Sequence, residues 1–286
     1  MLLNSNEMRF DFSGASFTAS DNGLLGWVFN QFLYGEITGI QCGHWLYRAP
    51  HLNAAAFLAK QAQEELSHVR KILRILSLLG ERPAPAHPLI RFLSTGMMGG
   101  SWGEHVALEM ALGEGLVLSV FYAVAETIEH SEIKKILEGM TVEEERHVDF
   151  GERETLEWIK ENPGSRKLIL GQALIQWMAL TKFKKFILKK ILTGNENHTV
   201  LLQFEKFYEK VLGGFDLRIQ RLGLSDLSLK ELSLFSKWDL VFGLPWRKLS
   251  RRVFSKKSVL LTSSYLTDPA FLAEEQRFRP ELPTHE

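Results

Sequence analysis

Two short patterns of the same kind constrain this chain most. Glu65 and His68 stand three residues apart, and so do Glu144 and His147. Residues three apart in an α-helix share a face, so each pair can offer an oxygen and a nitrogen to one metal ion. Two such pairs, with one further Glu on each of two other helices, form the ligand set of a dinuclear carboxylate site in a helix bundle.

Two isolated glutamates on apolar helix faces complete that set. The first predicted helix covers about residues 21–48, and Glu36 interrupts its stripe of apolar and small side chains. On the third predicted helix Glu114 interrupts a similar stripe, while Glu109 lies on a rotated stripe and stays open as its rival. A buried carboxylate is costly unless it is paired or bound to a metal, so these positions indicate ligands.

The spacing of the glutamates supports the choice of Glu114. Glu36 precedes Glu65 by 29 residues, and Glu114 precedes Glu144 by 30. Matched offsets indicate a duplicated helical hairpin with a pseudo-twofold axis, as a symmetric two-metal site needs. The predicted metal ligands, which are also the predicted catalytic residues, are Glu36, Glu65, His68, Glu114, Glu144 and His147, with Glu65 or Glu144 as the bridge.

The helical periodicity continues beyond the four helices that carry these residues. Two further helices are expected at 166–193 and 197–222, and no segment has the pattern of a strand. The sequence therefore predicts an all-α fold. Its predicted parts are an irregular lead-in at 1–20, a four-helix metal-binding bundle at 21–162, and a helical extension at 163–286 with a basic surface and a tail from Asp268.

Charge is distributed unevenly along the chain. Residues 1–162 carry 13 Lys or Arg and 22 Asp or Glu, a balance of −9, and residues 163–286 carry 21 and 12, a balance of +9. The basic part could meet an acidic carrier, a coenzyme A ester, nucleic acid or a membrane surface, or the two halves could simply complement each other. A lysine cluster at 182–190 is most often a solvated helix face.

The remaining composition indicates in which cellular compartment the protein is expected. The single cysteine, Cys42, excludes an intramolecular disulfide and a Cys-x-x-Cys metal module, and is expected to be a small buried residue. Neither a secretory signal nor a transmembrane segment is predicted. A cytoplasmic protein is expected.

The motifs resemble those of the ferritin-like dinuclear carboxylate proteins, whose signature pairs a Glu with an (Asp/Glu)-Glu-x-Arg-His element twice. Residues 143–147 fit that element fully, whereas residues 64–68 carry Ser67 in place of Arg. The resemblance covers about residues 21–160 and implies a ferritin-like four-helix bundle with additional C-terminal helices. The string from Glu114 to Gly151 is also similar to the oxygen-activating branch that includes the aldehyde-deformylating oxygenases.

Departures from other branches narrow the expected activity. Ile72 occupies the position where the small subunit of class I ribonucleotide reductase has its radical tyrosine, and Met140 the position of the third His of arylamine N-oxygenases. One cysteine cannot supply the Cys₄ iron domain of rubrerythrins. Ferritins need nothing like residues 165–286, so the extra helices suggest an organic-substrate pocket, a partner surface or a dimer interface.

These expectations define a main functional hypothesis and two alternatives. The first is an oxygen-activating dinuclear-iron oxidase or oxygenase that takes a small or acyl-type substrate, with dioxygen as co-substrate and electrons from a separate reductase. The second is ferroxidase or manganese-catalase chemistry, with Fe/Fe, Mn/Fe or Mn/Mn pairs all open. The third is a binding protein that uses the basic C-terminal half.

An acidic carrier and a homodimer stay open as partners, while nucleic acid is disfavoured. The substrate channel is expected to be lined by Phe29, Phe32, Met110, Phe121 and Met140.

Overall fold

The chain folds into helices throughout the part that the structure describes. This structure is a computed structural model, and it describes residues 1–96, 99–192 and 199–248. Within these ranges there is no β-strand, only one isolated bridge between Phe17 and Ile128. The all-α prediction is therefore confirmed.

Four long helices form the bundle that holds the site. They pack as two hairpins, α1 with α2 and α3 with α4, and α2 also contacts α4 across the bundle. Their bounds are Asn22–Gly39 for α1, Leu52–Leu79 for α2, Trp102–Thr127 for α3 and Ser131–Glu161 for α4. Turn residues mark the ends of two of these helices, since α2 stops at Gly80, whose φ is 74°, and α4 stops before Pro163.

The first helix is shorter than the sequence predicts. It is α-helical only to Gly39 and then continues as a tighter 3₁₀ segment, Ile40–Arg48. Gly39 and Gly43 are poor helix formers, and Pro50 follows shortly after, so the chain leaves the α conformation before Arg48.

The third helix is not α-helical throughout, although its sequence fits an α-helical pattern. Trp102–Glu104 and Gly115–Thr127 are α-helical, but the ten residues between them, His105–Glu114, form a π-helix. Among the described residues, α3 is the one helix long and apolar enough to cross a membrane. Its most apolar 18-residue stretch is 67% buried inside the protein. It is packed on several sides by other helices, so it gives no clear transmembrane segment.

Three further helices cover one side of the bundle: Arg166–Leu192 (α5), Thr199–Arg221 (α6) and Leu234–Phe242 (α7). They share one hydrophobic core with α3, in which Leu108 and Leu112 pack with Ile169, Leu174 and Ile219. Residues from both sides of the predicted domain boundary near residue 162 meet in this core. The division into domains stays a prediction.

Shorter helical turns connect these elements: Ser5–Met8, Ala19–Asp21, Pro88–Arg91, Phe92–Gly96 and Pro163–Ser165. Several expectations lie outside the described residues. These are the side chains of Lys189 and Lys190 in the lysine cluster, the part of the expected basic surface after residue 248, and the tail from Asp268. Within the described part of the lysine cluster, Lys184 forms ion pairs with Glu205 and Glu209.

A buried ion pair ties α6 to α4 and to the N-terminus. The Nε of Arg218 donates to Oε1 of Glu152 at 2.8 Å, and both side chains are only 2% exposed. Glu152 also accepts a hydrogen bond from the backbone N–H of Leu2, and Arg218 reaches the sulfur of Met8. Because the burial of an unpaired charge costs several kcal/mol, each partner depends on the other.

Removal of one partner should therefore destabilise the protein strongly. We expect Arg218→Met to lower the free energy of unfolding by about 3–5 kcal/mol, because it leaves the Glu152 carboxylate buried without its cation. The matched control is Arg221→Met, which removes a surface ion pair with Glu7 one helical turn away and should cost far less. Urea unfolding of both variants measures the difference, and equal losses would contradict this account of Arg218.

Candidate metal centre

The structure brings the six predicted ligand residues together in the middle of the bundle. One ligand atom from each of four residues lies within 4.8 Å of the others in one group, and a second group of three has the same closeness. Glu65 belongs to both groups, so its carboxylate lies between them. The first group is Glu36, Glu65, His68 and Glu144, and the second is Glu65, Glu114 and His147.

The two histidines face the cluster with the same ring nitrogen. Nδ1 of His68 lies 3.0 Å from Oε2 of Glu36 and 3.0 Å from Oε1 of Glu144. Nδ1 of His147 lies 3.6 Å from the other oxygen of Glu144 and 3.5 Å from Oε1 of Glu65. Both rings are fully buried. Because one oxygen of Glu144 lies near each histidine, its carboxylate lies between the two rings.

Each histidine is oriented by a carboxylate from the opposite hairpin. Nε2 of His68 lies 2.7 Å from Glu143 on α4, and Nε2 of His147 lies 2.8 Å from Glu64 on α2. If each Nε2 donates its proton to that carboxylate, Nδ1 is left to act as the ligand atom. Glu64 and Glu143 each stand directly before the Glu of their own Glu-x-x-His pair, so the arrangement follows the predicted pseudo-twofold relation.

A cation holds each orienting carboxylate, and here the two halves differ. Arg146 donates to Glu64 at 2.7 Å. The equivalent position in the first half is Ser67, which departs from the motif, and Lys71 on the next turn donates to Glu143 at 2.5 Å instead. The role that Arg146 fills in one half is therefore supplied by Lys71 in the other.

Two neighbouring residues shape the space around Glu65. A Cβ at Gly39 would lie 2.6 Å from Oε2 of Glu65, so a larger residue there would displace this carboxylate from its place beside α1. Nε2 of Gln61 donates to Glu114 at 2.8 Å and lies 3.4 Å from Oε1 of Glu65. Gln61 therefore links the glutamate of α3 to the glutamate of α2.

The buried charges shift one another's pKa values strongly. Burial disfavours the imidazolium of His68, but hydrogen bonds with Glu144 and Glu36 outweigh it and raise the pKa of His68 to about 10. The pKa of His147 rises to about 9, because Glu144 and then Glu114 outweigh the same effect of burial. Burial has the opposite effect on a carboxylate and raises the pKa of Glu144, but the two histidines more than offset it and bring that pKa to about 2.

Burial dominates the pKa shifts of Glu65 and Glu114. It raises the pKa of Glu65 well above its ordinary value, and the charges of Glu36 and Glu144 add to this shift. Burial likewise raises the pKa of Glu114, against the opposing effect of His147. The cluster therefore binds protons tightly in the absence of cations, and a metal ion would displace them.

The π-helical segment of α3 places both Glu109 and Glu114 on the wall of the same cavity. A π-helix has more residues per turn than an α-helix, so residues five apart come onto one face. With the α-helical period of 3.6 residues, the two glutamates would fall on different stripes. Glu114 lies in the ligand cluster, whereas Glu109 accepts hydrogen bonds from Nδ1 of His105 at 2.8 Å and from the N–H of Gly99 at 2.9 Å.

A cavity of about 330 Å³ adjoins the cluster. Four of the carboxylates, those of Glu36, Glu65, Glu114 and Glu144, line one part of it. Apart from Glu109, the rest of the wall is mostly apolar and is shared by α1, α3, α5 and α6. The residues from α5 and α6 include Leu180, Phe183, Ile187, Phe204, Val211 and Phe215. The helices after residue 165 therefore build much of the space next to the site.

The expected channel lining is mostly wrong. Of the five predicted residues, Phe32 lines the cavity, but the other four are fully buried within the hydrophobic cores of the bundle: Phe29, Met110, Phe121 and Met140. They share helix faces with the ligands but pack against neighbouring helices. Only the tertiary arrangement shows that side chains from α5 and α6, far away in sequence, line the cavity.

Cys42 is a buried thiol, as expected, with 4% of its surface exposed. Burial raises its pKa to about 12, and the charges of Glu114 and Glu109 contribute. The thiol is therefore protonated at neutral pH, and its sulfur lies near Leu58 O at 3.7 Å.

Comparison with protein-family models, curated proteins and solved structures gives no match for this chain. Fold and geometry therefore define its class. It is an all-α protein whose helical bundle encloses a buried carboxylate and histidine cluster compatible with two metal ions.

The carboxylates that orient the histidines should tune metal affinity. We expect Glu143→Gln and Glu64→Gln each to weaken metal binding by about 10- to 100-fold, because the amide holds the ligand imidazole less firmly and lowers its basicity. Glu138→Gln, an exposed position on the same helix as Glu143, is the matched control. Competition with a chelator measures the affinities, and a Glu143→Gln variant as tight as Glu138→Gln would contradict the role of Glu143.

The pKa shifts predict how the stability of the chelator-treated protein depends on pH. The raised pKa values of His68 and His147 contribute stability that is complete below pH 6.5 and is lost as the pH rises through about 9 to about 10. The raised pKa values of Glu65 and Glu114 act in the same direction above pH 4.5. The melting temperature should fall across this range, whereas a flat or rising profile would contradict these shifts.

Proposed function

We propose that the protein is an oxygen-activating dinuclear-metal oxidase or oxygenase that acts on an apolar, acyl-type organic substrate. Two iron ions would be held by Glu36, Glu65, His68, Glu114, Glu144 and His147. A ferritin-like relationship, which the motifs suggest, belongs to the same proposal. The observation that carries it is the opening of an apolar cavity directly onto the four buried carboxylates.

The donor atoms fit metal ions. Nδ1 of His147 and Oε2 of Glu114 are buried without a hydrogen-bond partner, and both belong to residues of one close group. Buried polar atoms are otherwise almost always satisfied, so these two favour a ligand that supplies the missing interaction. A set of four carboxylates and two imidazoles suits iron or manganese better than zinc, whose closed sites favour cysteine and histidine.

The bound metal pair would supply the oxidising chemistry, by binding dioxygen and reducing it with external electrons. The side chains have separate tasks. The apolar wall formed by α5 and α6 would bind the substrate and exclude water, and the carboxylate end would direct one end of the substrate toward the site. The cavity volume lies near the lower end of the range for small-molecule pockets, about 300–1,000 Å³.

An oxygenation assay tests this proposal. The protein is loaded anaerobically with Fe(II), reduced chemically, and mixed with ¹⁸O₂ and a series of straight-chain aldehydes, alcohols and carboxylic acids. We expect an oxidised product that depends on chain length and is lost in Glu144→Ala. If dioxygen is consumed with Fe(II) alone and no organic product appears, ferroxidase chemistry replaces the proposal.

A cavity-filling variant separates substrate binding from metal binding. Leu180 lines the cavity but is not part of the ligand cluster. We expect Leu180→Trp to retain the metal and to lower kcat/KM for the longest substrates by at least about tenfold, because the indole fills the space that the chain occupies. The control is Leu156→Trp, at an exposed position on α4. Equal losses in the two variants would contradict a substrate role for the cavity.

A further inference from the structure

The helix α7 and residues 243–248 after it expose an unusual amount of apolar surface. Five large apolar side chains point outward along one stripe, and two of them, Trp238 and Phe242, stack with ring centroids 4.2 Å apart. We refer to this stripe as the aromatic face. Its residues and exposed fractions are Leu234 77%, Phe235 83%, Trp238 61%, Phe242 65% and Trp246 73%.

The opposite side of α7 is already fixed in the protein core. Leu240 and Leu244 are buried, and they pack against α5 so closely that a Cβ at Gly171 would lie 2.7 Å from Leu240 O and 2.9 Å from Cδ2 of Leu244. A rotation of α7 that buried the aromatic face would remove these contacts. The aromatic face therefore stays on the surface unless something outside the described chain covers it.

The aromatic face lies within a basic part of the sequence. Residues 230–257 contain eight Lys or Arg and two acidic residues, a net charge of +6, and the four basic residues after residue 248 lie outside the described residues. One of the two acids, Asp239, is neutralised by an ion pair with Arg247 at 2.7 Å. Lys248 is exposed after the helix, and Lys230, which is exposed before it, forms an ion pair with Glu209 at 3.5 Å.

This combination favours an anionic lipid surface over a second copy of the chain. Trp, Phe and Leu on one helix face, with Lys and Arg around them, is the pattern of helices that lie in the interface of a membrane. In a symmetric dimer formed through the same patch, the two basic segments would face each other and repel. An anionic bilayer satisfies both the apolar side chains and the positive charge.

We propose that the aromatic face is a docking surface for an anionic lipid bilayer, with Trp238, Phe242 and Trp246 inserted at the headgroup level. This docking is independent of the metal cluster. The bound state places the whole protein at a membrane surface.

Vesicle flotation tests the proposal with the full chain. The probes are vesicles of phosphatidylcholine alone and of phosphatidylcholine mixed with phosphatidylglycerol. We expect the protein to float with the mixed vesicles, more weakly with the neutral ones, and less as salt is added. The double variant Trp238→Ser, Phe242→Ser should reduce binding to mixed vesicles by at least about tenfold, because it removes the inserted rings.

Matched variants distinguish vesicle binding through the aromatic face from non-specific hydrophobic adsorption. Leu202→Ser removes a side chain that is 63% exposed on α6 and should bind vesicles like the unaltered protein. Phe235→Ser, at the most exposed position of the aromatic face, gives a second test if the double variant does not fold. No flotation of the unaltered chain, or equal flotation of the double variant, overturns the proposal. So does light scattering that shows a dimer disrupted by the double variant when vesicles do not bind.

Discussion

The structure depends on the burial of four carboxylates and two imidazoles in the middle of a helix bundle. Each ion removed from water costs several kcal/mol unless opposite charges and hydrogen bonds surround it. The protein meets this cost partly through the histidines, which lie against the carboxylates on one side and against Glu64 or Glu143 on the other. Two bound cations would complete the compensation, and this requirement explains why polar residues interrupt the apolar faces of all four helices.

The third helix connects this cluster to the rest of the molecule. One side of its π-helical segment carries Glu114 into the cluster, and another side packs Leu108 and Leu112 against α5 and α6. The same two C-terminal helices form much of the apolar cavity wall. One irregular helix thus links the proposed metal site and the proposed substrate cavity to the C-terminal helices. A membrane-docked α7, packed on α5, would bring the protein to the place where apolar substrates accumulate.

The sequence predicted the features that repeat with helical period. The ends of α2 and α4 follow from turn residues, and the close approach of Glu65, His68, Glu144 and His147 follows from their three-residue spacing on inward faces. It could not show that α3 would change to a π-helix, because its residues fit an α-helical stripe equally well. The ion pair of Lys71 with Glu143 and the cavity wall from α5 and α6 depend on contacts between distant segments. The helix α7 was missed because apolar residues occur on both of its faces.

We propose above that six side chains together hold two metal ions: Glu36, Glu65, His68, Glu114, Glu144 and His147. Anaerobic titration of the chelator-treated full chain with Fe(II), followed by metal analysis of the desalted protein, tests it most directly. The account predicts two iron ions per chain, a loss of both in a variant that carries Glu65→Ala and Glu144→Ala, and unchanged uptake in Glu138→Gln. Uptake that is absent, or that is the same in the double variant as in the unaltered chain, would contradict it.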